Sequence, residues 1–133
     1  MNATANKHLI RHFLSHFEKG GVNGILDMLS NEATWWVNGK SHLFPFAGLK
    51  TKAEMRPALN KLFSFFNGGL KMELKGLIGE GDIVAVEAYS YGVTKSGKHY
   101  ENDYHILFRL RGSEIVEVRE YTDPMHAVEA LRL

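Results

Sequence analysis

Four side chains in the second half of the chain have the types and spacing for proton transfer: Glu87, Asn102, Tyr104 and Glu120. Trp36 and Asn38, in ATWWVNG, join them from the first half. A carboxyl group held among apolar and aromatic side chains has its charged form disfavoured. Its pKa then climbs toward the range useful to a general acid or base. A neighbouring tyrosine or amide can donate to a developing oxyanion or fix a substrate carbonyl. These parts suffice for proton transfer beside a carbonyl, or for activating a water. They equally suit a structural network, since buried polar groups need hydrogen-bond partners whether or not they are catalytic. Two readings stand: a cofactor-free enzyme with Glu120 as acid/base and Glu87 as the alternative base, or a non-catalytic small-ligand-binding or dimerisation module.

Whether the groups converge depends on which way their strands face, since side chains alternate along a strand. In KHYENDYHILFRL, Tyr100, Asn102, Tyr104, Ile106, Phe108 and Leu110 share the core face, with Asn102 and Tyr104 placed to orient a substrate. In SEIVEVREYT, Val116, Val118 and Glu120 share the more apolar face, which aims Glu120 inward and leaves Glu117 to water; a bulge before Tyr121 would reverse the last residues. In GDIVAVEAYSYGV either face suits burial, so the direction of Glu87 stays open. Asp123 precedes Pro124, and aspartate at N-cap with proline at N1 is a common helix entry, so Asp123 reads as the cap of a closing helix.

Upstream, HLIRHFLSHF places Leu9, Ile10, Phe13, Leu14 and Phe17 at helical spacing, stopped by Gly20-Gly21. A short second helix is expected over 22–29, then the strand ATWWV. Residues 38–50, NGKSHLFPFAGLK, read as a loop folded over something apolar. Thr51 and Glu54 form a capping box for a third helix, in which Pro57 predicts a kink or a later start. Three helices and a run of antiparallel strands give an α+β pattern in one domain, residues 1–133.

His8, His12 and His16 lie one helical turn apart, a spacing that can chelate metal. No glutamate falls between them in the H-E-x-x-H manner, and a solvated or interfacial stripe is the expectation, with no metal. No P-loop, G-x-S-x-G or dinucleotide fingerprint is present, and no cofactor is expected.

The chain has 133 residues, formal net charge +1, 44% hydrophobic residues and no cysteine, which excludes disulfides and thiolate chemistry. Neither half carries a basic stripe, so no nucleic-acid partner is expected. MNATANK lacks an apolar signal-peptide core, and no apolar run reaches membrane-spanning length; a cytoplasmic protein is expected.

ATWWVNG, GDIVAVEA and GKHYENDYHILFRLRGSEIVEVREYTD resemble the SnoaL-like proteins of the nuclear-transport-factor-2-like superfamily, relatives of ketosteroid isomerases and polyketide cyclases. The likeness covers nearly the whole chain and is strongest over 81–123. It implies a cone-like curved antiparallel sheet wrapped over three N-terminal helices, with a pocket between them. Trp36, Phe44 and Phe46 would form the pocket wall, and a homodimer would form through the outer sheet face. Transferred residue by residue, the likeness argues against classical ketosteroid isomerisation. The isomerases use a tyrosine from the first helix region, yet no tyrosine precedes Tyr89. Val37 and Asn38 stand where their base aspartate ends the first strand, and Tyr104 and Ile106 at the positions of their second acid. Epoxide-hydrolase-like water activation needs an Asp-Arg-Asp set for which no core-facing arginine is found; it stays as a second alternative. Glu120, beside Tyr121, resembles the late-strand acid of SnoaL-like cyclases, with glutamate for aspartate. The expected ligand is a small, mostly apolar, carbonyl- or hydroxyl-bearing molecule.

Overall fold

In the computed structural model, which describes residues 2–133, helix α1 (Ala3–Ser15) starts earlier than its apolar repeat because Asn2 caps it, accepting from the Ala5 amide at 2.9 Å. Its buried stripe is Ile10, Phe13 and Leu14, continued by Phe17. Gly20 then turns the chain at φ +63°, a left-handed conformation that glycine adopts without steric cost. Helix α2 (Val22–Asp27) buries Ile25 and Leu26. Helix α3 (Lys52–Ser64) starts at Thr51: Thr51 Oγ1 accepts from the Glu54 amide at 3.3 Å and Glu54 Oε1 from the Thr51 amide at 3.0 Å. The expected later start beyond Pro57 is corrected, because the reciprocal cap satisfies the first turn while Pro57 sits inside a continuous helix.

The strands are β1 (Leu29–Val37), β2 (Gly48–Thr51), β3 (Lys71–Glu80), β4 (Ile83–Val93), β5 (His99–Arg111) and β6 (Glu114–Tyr121). They form one curved, unclosed sheet in the order β2-β1-β6-β5-β4-β3. The sheet is mixed: β1 runs parallel to β6, and the other neighbours are antiparallel. The antiparallel expectation holds at the other four neighbouring pairs. A parallel pair needs a long crossover, here supplied by everything between β1 and β6. The expected loop over 38–50 ends at Ala47; Gly48–Thr51 pairs with β1 as the edge strand β2, setting Lys50 opposite Trp35.

The ladders shift register at three places: between Leu29 and Thr34 of β1, and at two single-residue bulges, which bend a strand. In β3, Lys75 has no partner between Leu74↔Ala88 and Gly76↔Glu87. In β6, Val116 has none between Ile115↔Leu110 and Glu117↔Arg109. The second bulge lies earlier than the one considered before Tyr121. It brings Ile115 into the core, where outward exposure was expected, and leaves Val118 and Glu120 facing inward.

Helix α4 (Pro124–Leu131) closes the chain, burying Ala127, Ala130 and Leu131. The core centres on edge-to-face aromatic contacts, Phe13 to Phe108 at 5.6 Å and Phe17 to Phe63 at 5.8 Å. Phe13 and Phe108 are both completely buried. Burial of such a ring contributes about 1.5–3 kcal/mol.

Candidate functional site

Between the concave sheet face and the helices lies a cavity of about 70 Å³, room for a few water molecules or a small organic group. Its wall is mostly carbon: Phe13 and Phe17 of α1, Met55 and Leu59 of α3, Phe44 and Phe46 of the β1–β2 loop, and Ile106 and Phe108 of β5. Into this lining project Glu120, Tyr100, Tyr104, Lys50 and Thr122.

Glu120 stands opposite Ile106 on β5 and Val37 on β1, so it sits mid-sheet between two ladders. Its Oε1 accepts from the Trp35 indole Nε1 at 3.0 Å. Burial of the carboxyl group raises its pKa from 4.5 to about 7, against the opposing pull of the Trp35 hydrogen bond and the Lys50 charge. Desolvation wins because a single neutral donor replaces little of the water shell a carboxylate loses. Glu120 is thus divided between acid and base forms near neutrality.

Beside it runs a hydroxyl chain. Ser90 Oγ and Tyr104 Oη are 2.8 Å apart, and Tyr104 Oη and Tyr100 Oη 3.2 Å. Asn102 Nδ2 donates to Tyr100 Oη at 2.9 Å. Burial raises the pKa of both tyrosines, that of Tyr104 well above the usual phenol value, so both stay protonated donors. Three hydroxyl protons serve two hydroxyl–hydroxyl links, and Tyr100 already accepts from Asn102. One proton is therefore left over. Ser90 is completely buried, whereas Tyr104 and Tyr100 both line the cavity, so the surplus donor is best satisfied by an acceptor placed there.

Several sequence-selected residues lie elsewhere. Glu87 is exposed on the convex face, opposite His105 and Gly76, because Val84, Val86 and Ala88 take the core side of β4. Trp36 also faces outward, its ring 5.1 Å from Tyr121 and 4.4 Å beneath the Arg119 guanidinium; Trp35 takes the cavity wall in its place. Asn102 is buried but does not line the cavity. Its Nδ2 also donates to the Asp123 carbonyl at 3.1 Å and its Oδ1 accepts from the Asp123 amide at 3.1 Å, so both of its donors are spent within the fold. Asn38 exchanges two 3.0 Å bonds with the Thr122 backbone and ties the end of β1 to that of β6, without itself lining the cavity. Phe44 and Phe46 line the cavity, their rings 6.0 Å apart. Asp123 Oδ1 accepts from the Met125 and His126 amides at 3.0 and 3.3 Å, capping α4.

Sequence reasoning missed Trp35, Lys50 and Tyr100 as site residues. Tyr100 had been placed on the core face of its strand, and Trp35 shares a face with Ala33 and Val37, so both signals were present. Among the described residues no three His, Asp or Glu side chains are grouped to hold a metal. The His12 and His16 rings contact one another edge-on at 4.8 Å. Among the described residues no helix is long and apolar enough to cross a membrane.

A curved six-stranded sheet over helices, with a cavity in its concave face, defines an α+β cone of the nuclear-transport-factor-2-like kind. The SnoaL-like domain model matches residues 10–118, and the chain belongs to that family. Among solved structures, Bal32a from a soil-derived mobile gene cassette superposes with TM-score 0.83 at 19% identity, covering 98% of each chain. TerC, co-crystallised with polyporic acid, gives TM-score 0.82 at 17% identity over 96% of this chain and 98% of its own. A nuclear-transport-factor-2-like protein of Burkholderia xenovorans gives 0.75 at 21% identity over 98% of each chain. No curated protein matches the sequence.

Proposed function

We propose that the cone cavity binds a small, mostly apolar, carbonyl-bearing molecule and moves a proton beside its carbonyl, with Glu120 as acid/base and Tyr104 as donor to the carbonyl oxygen. The observation that carries this reading is a carboxyl group with pKa about 7 in an otherwise greasy cavity. Such a group abstracts a proton in one step and returns it in the next. The surplus tyrosine proton stabilises the enolate that forms between them. TerC, co-crystallised with polyporic acid, lends support at the level of the fold.

The test is deuterium exchange. Acetophenone in heavy water should exchange its methyl protons faster with the protein than without it, as followed by proton NMR, and Glu120→Gln should abolish the acceleration. Equal rates for wild type and Glu120→Gln would remove Glu120 from the mechanism.

The convex face, where Ile78, Tyr91, Val93 and Tyr121 remain exposed, is proposed to pair with a second copy of the chain. Sedimentation equilibrium tests it, and a monomer at high concentration rejects it.

A further inference from the structure

Lys50 is the one cationic side chain among the residues lining the cavity. Strand β2 puts it there, opposite Trp35 in the β1–β2 ladder. Its Nζ donates to the Phe46 carbonyl at 2.7 Å and the Ala47 carbonyl at 3.4 Å. Among the described residues no carboxylate oxygen lies within 4.0 Å of it. An ammonium has three protons to place, whereas a neutral amine has two protons and a lone pair. The two carbonyl acceptors therefore leave one position on Nζ unused, the third proton of the ammonium or, once that proton is lost, the lone pair.

We propose that Lys50 is the nucleophile of an imine-forming site that takes an aldehyde or ketone carried on an apolar body. Burial lowers the Lys50 pKa, outweighing the raising influence of Glu54 and Glu120, and so favours the reactive form. The proposal rests on the reading of the cavity as a carbonyl-compound site and adds a covalent step to it. The Nζ lone pair attacks the carbonyl carbon; a C–N bond forms and the π pair moves to oxygen. Proton transfer from nitrogen to that oxygen, relayed by Glu120, gives the neutral carbinolamine. Glu120 then protonates the hydroxyl, the C–O bond breaks and water leaves, and the nitrogen lone pair closes the C=N bond. The sum is amine plus carbonyl plus one proton giving iminium plus water. The iminium withdraws electrons from the adjacent carbon and makes its proton removable by the Glu120 carboxylate left behind.

Reductive trapping tests this. Benzaldehyde with sodium cyanoborohydride near neutral pH leaves one benzyl group on each amine that forms an imine, located by peptide mass spectrometry. Lys50 should be benzylated about tenfold faster or more than any other lysine, and Glu120→Gln should slow it at least about tenfold, as loss of a general acid does. Lys50→Arg keeps donors for the two carbonyls; with unchanged circular dichroism it should lose the fast labelling. Benzaldehyde binding is followed separately by NMR without reductant. Binding with Lys50 labelled no faster than the other lysines overturns the imine step alone, and absence of binding overturns the cavity reading with it.

Discussion

The indole Nε1 of Trp35 donates to Glu120 Oε1 across 3.0 Å, from one strand of the parallel β1–β6 pair to the other. The bond fixes the carboxyl group in the cavity and favours its anion, while burial favours its acid form more strongly. The Lys50 charge pulls the same way as the bond, and the site's acid/base balance is what remains of the burial effect after both.

Trp35→Phe tests that balance. The ring volume largely stays, the donor goes, and the Glu120 midpoint should move above about 7, since loss of a bond to the charged form disfavours it. Side-chain carboxyl NMR measures the midpoint; no movement, or a fall, would show that the indole does not set it.

Stability should carry the same signature. Glu120 has an ordinary value of 4.5 and a folded value of about 7, so the folded chain keeps a proton that the unfolded chain releases between them. Stability therefore falls as pH rises through that window and stays lower above it. The gap corresponds to about 3 kcal/mol, at about 1.4 kcal/mol per unit. Glu120→Gln does not titrate and retains an oxygen for Trp35. Its stability relative to wild type should rise by about 3 kcal/mol between about pH 4 and about pH 8 in urea unfolding. Parallel pH profiles for the two proteins would mean the carboxyl group is not desolvated.

Glu87→Gln should differ sharply. Its side chain is exposed on the convex face, so stability should stay within about 0.5 kcal/mol and any carbonyl exchange activity should be untouched. A large loss of activity would bring the convex face into the chemistry.

Alternation made much of this legible. In β5 it sorts Tyr100 through Leu110 onto the buried face without interruption, because no bulge breaks the phase there. In β6 the phase changes at Val116, where a single unpaired residue turned Ile115 inward while Glu120, downstream, kept its direction. The Trp35-Trp36 doublet is sorted by the same alternation, which groups Trp35 with Ala33 and Val37, but the partner that gives Trp35 its role lies 85 positions away. Glu87 needed the β4–β5 register, which pairs it with the outward-facing His105. Lys50 lay in an apparent loop and had no face until β2 paired with β1. Local pattern thus reaches most of the core, and cross-strand pairing decides the polar residues.

The hydroxyl chain predicts non-additivity. Tyr104→Phe leaves Ser90 Oγ and Tyr100 Oη without their shared partner, at a cost of about 1–3 kcal/mol. Ser90→Ala removes one of the orphans. The double variant should cost less than the sum of the single ones, as for residues in one network. Strict additivity in a double-mutant cycle would show that the three hydroxyls act independently.

Asn102 joins this chain to the closing helix, bonding Tyr100 on one side and both backbone groups of Asp123 on the other. Asp123 caps α4, and His126 of that helix stacks on the Tyr100 ring at 5.6 Å. Asn102→Ala removes both connections at once, leaving the Asp123 amide and carbonyl without their partner, at about 1–3 kcal/mol for each buried group that stays unpaired. The loss should be local, because β5 keeps its ladders to β4 and β6 while α4 loses its anchor. Hydrogen exchange should therefore quicken across Pro124–Leu131 and the residues after Tyr121, with little change in the middle of β5. Uniform acceleration along the whole chain would instead mean that Asn102 holds the fold together globally, with no particular tie to α4.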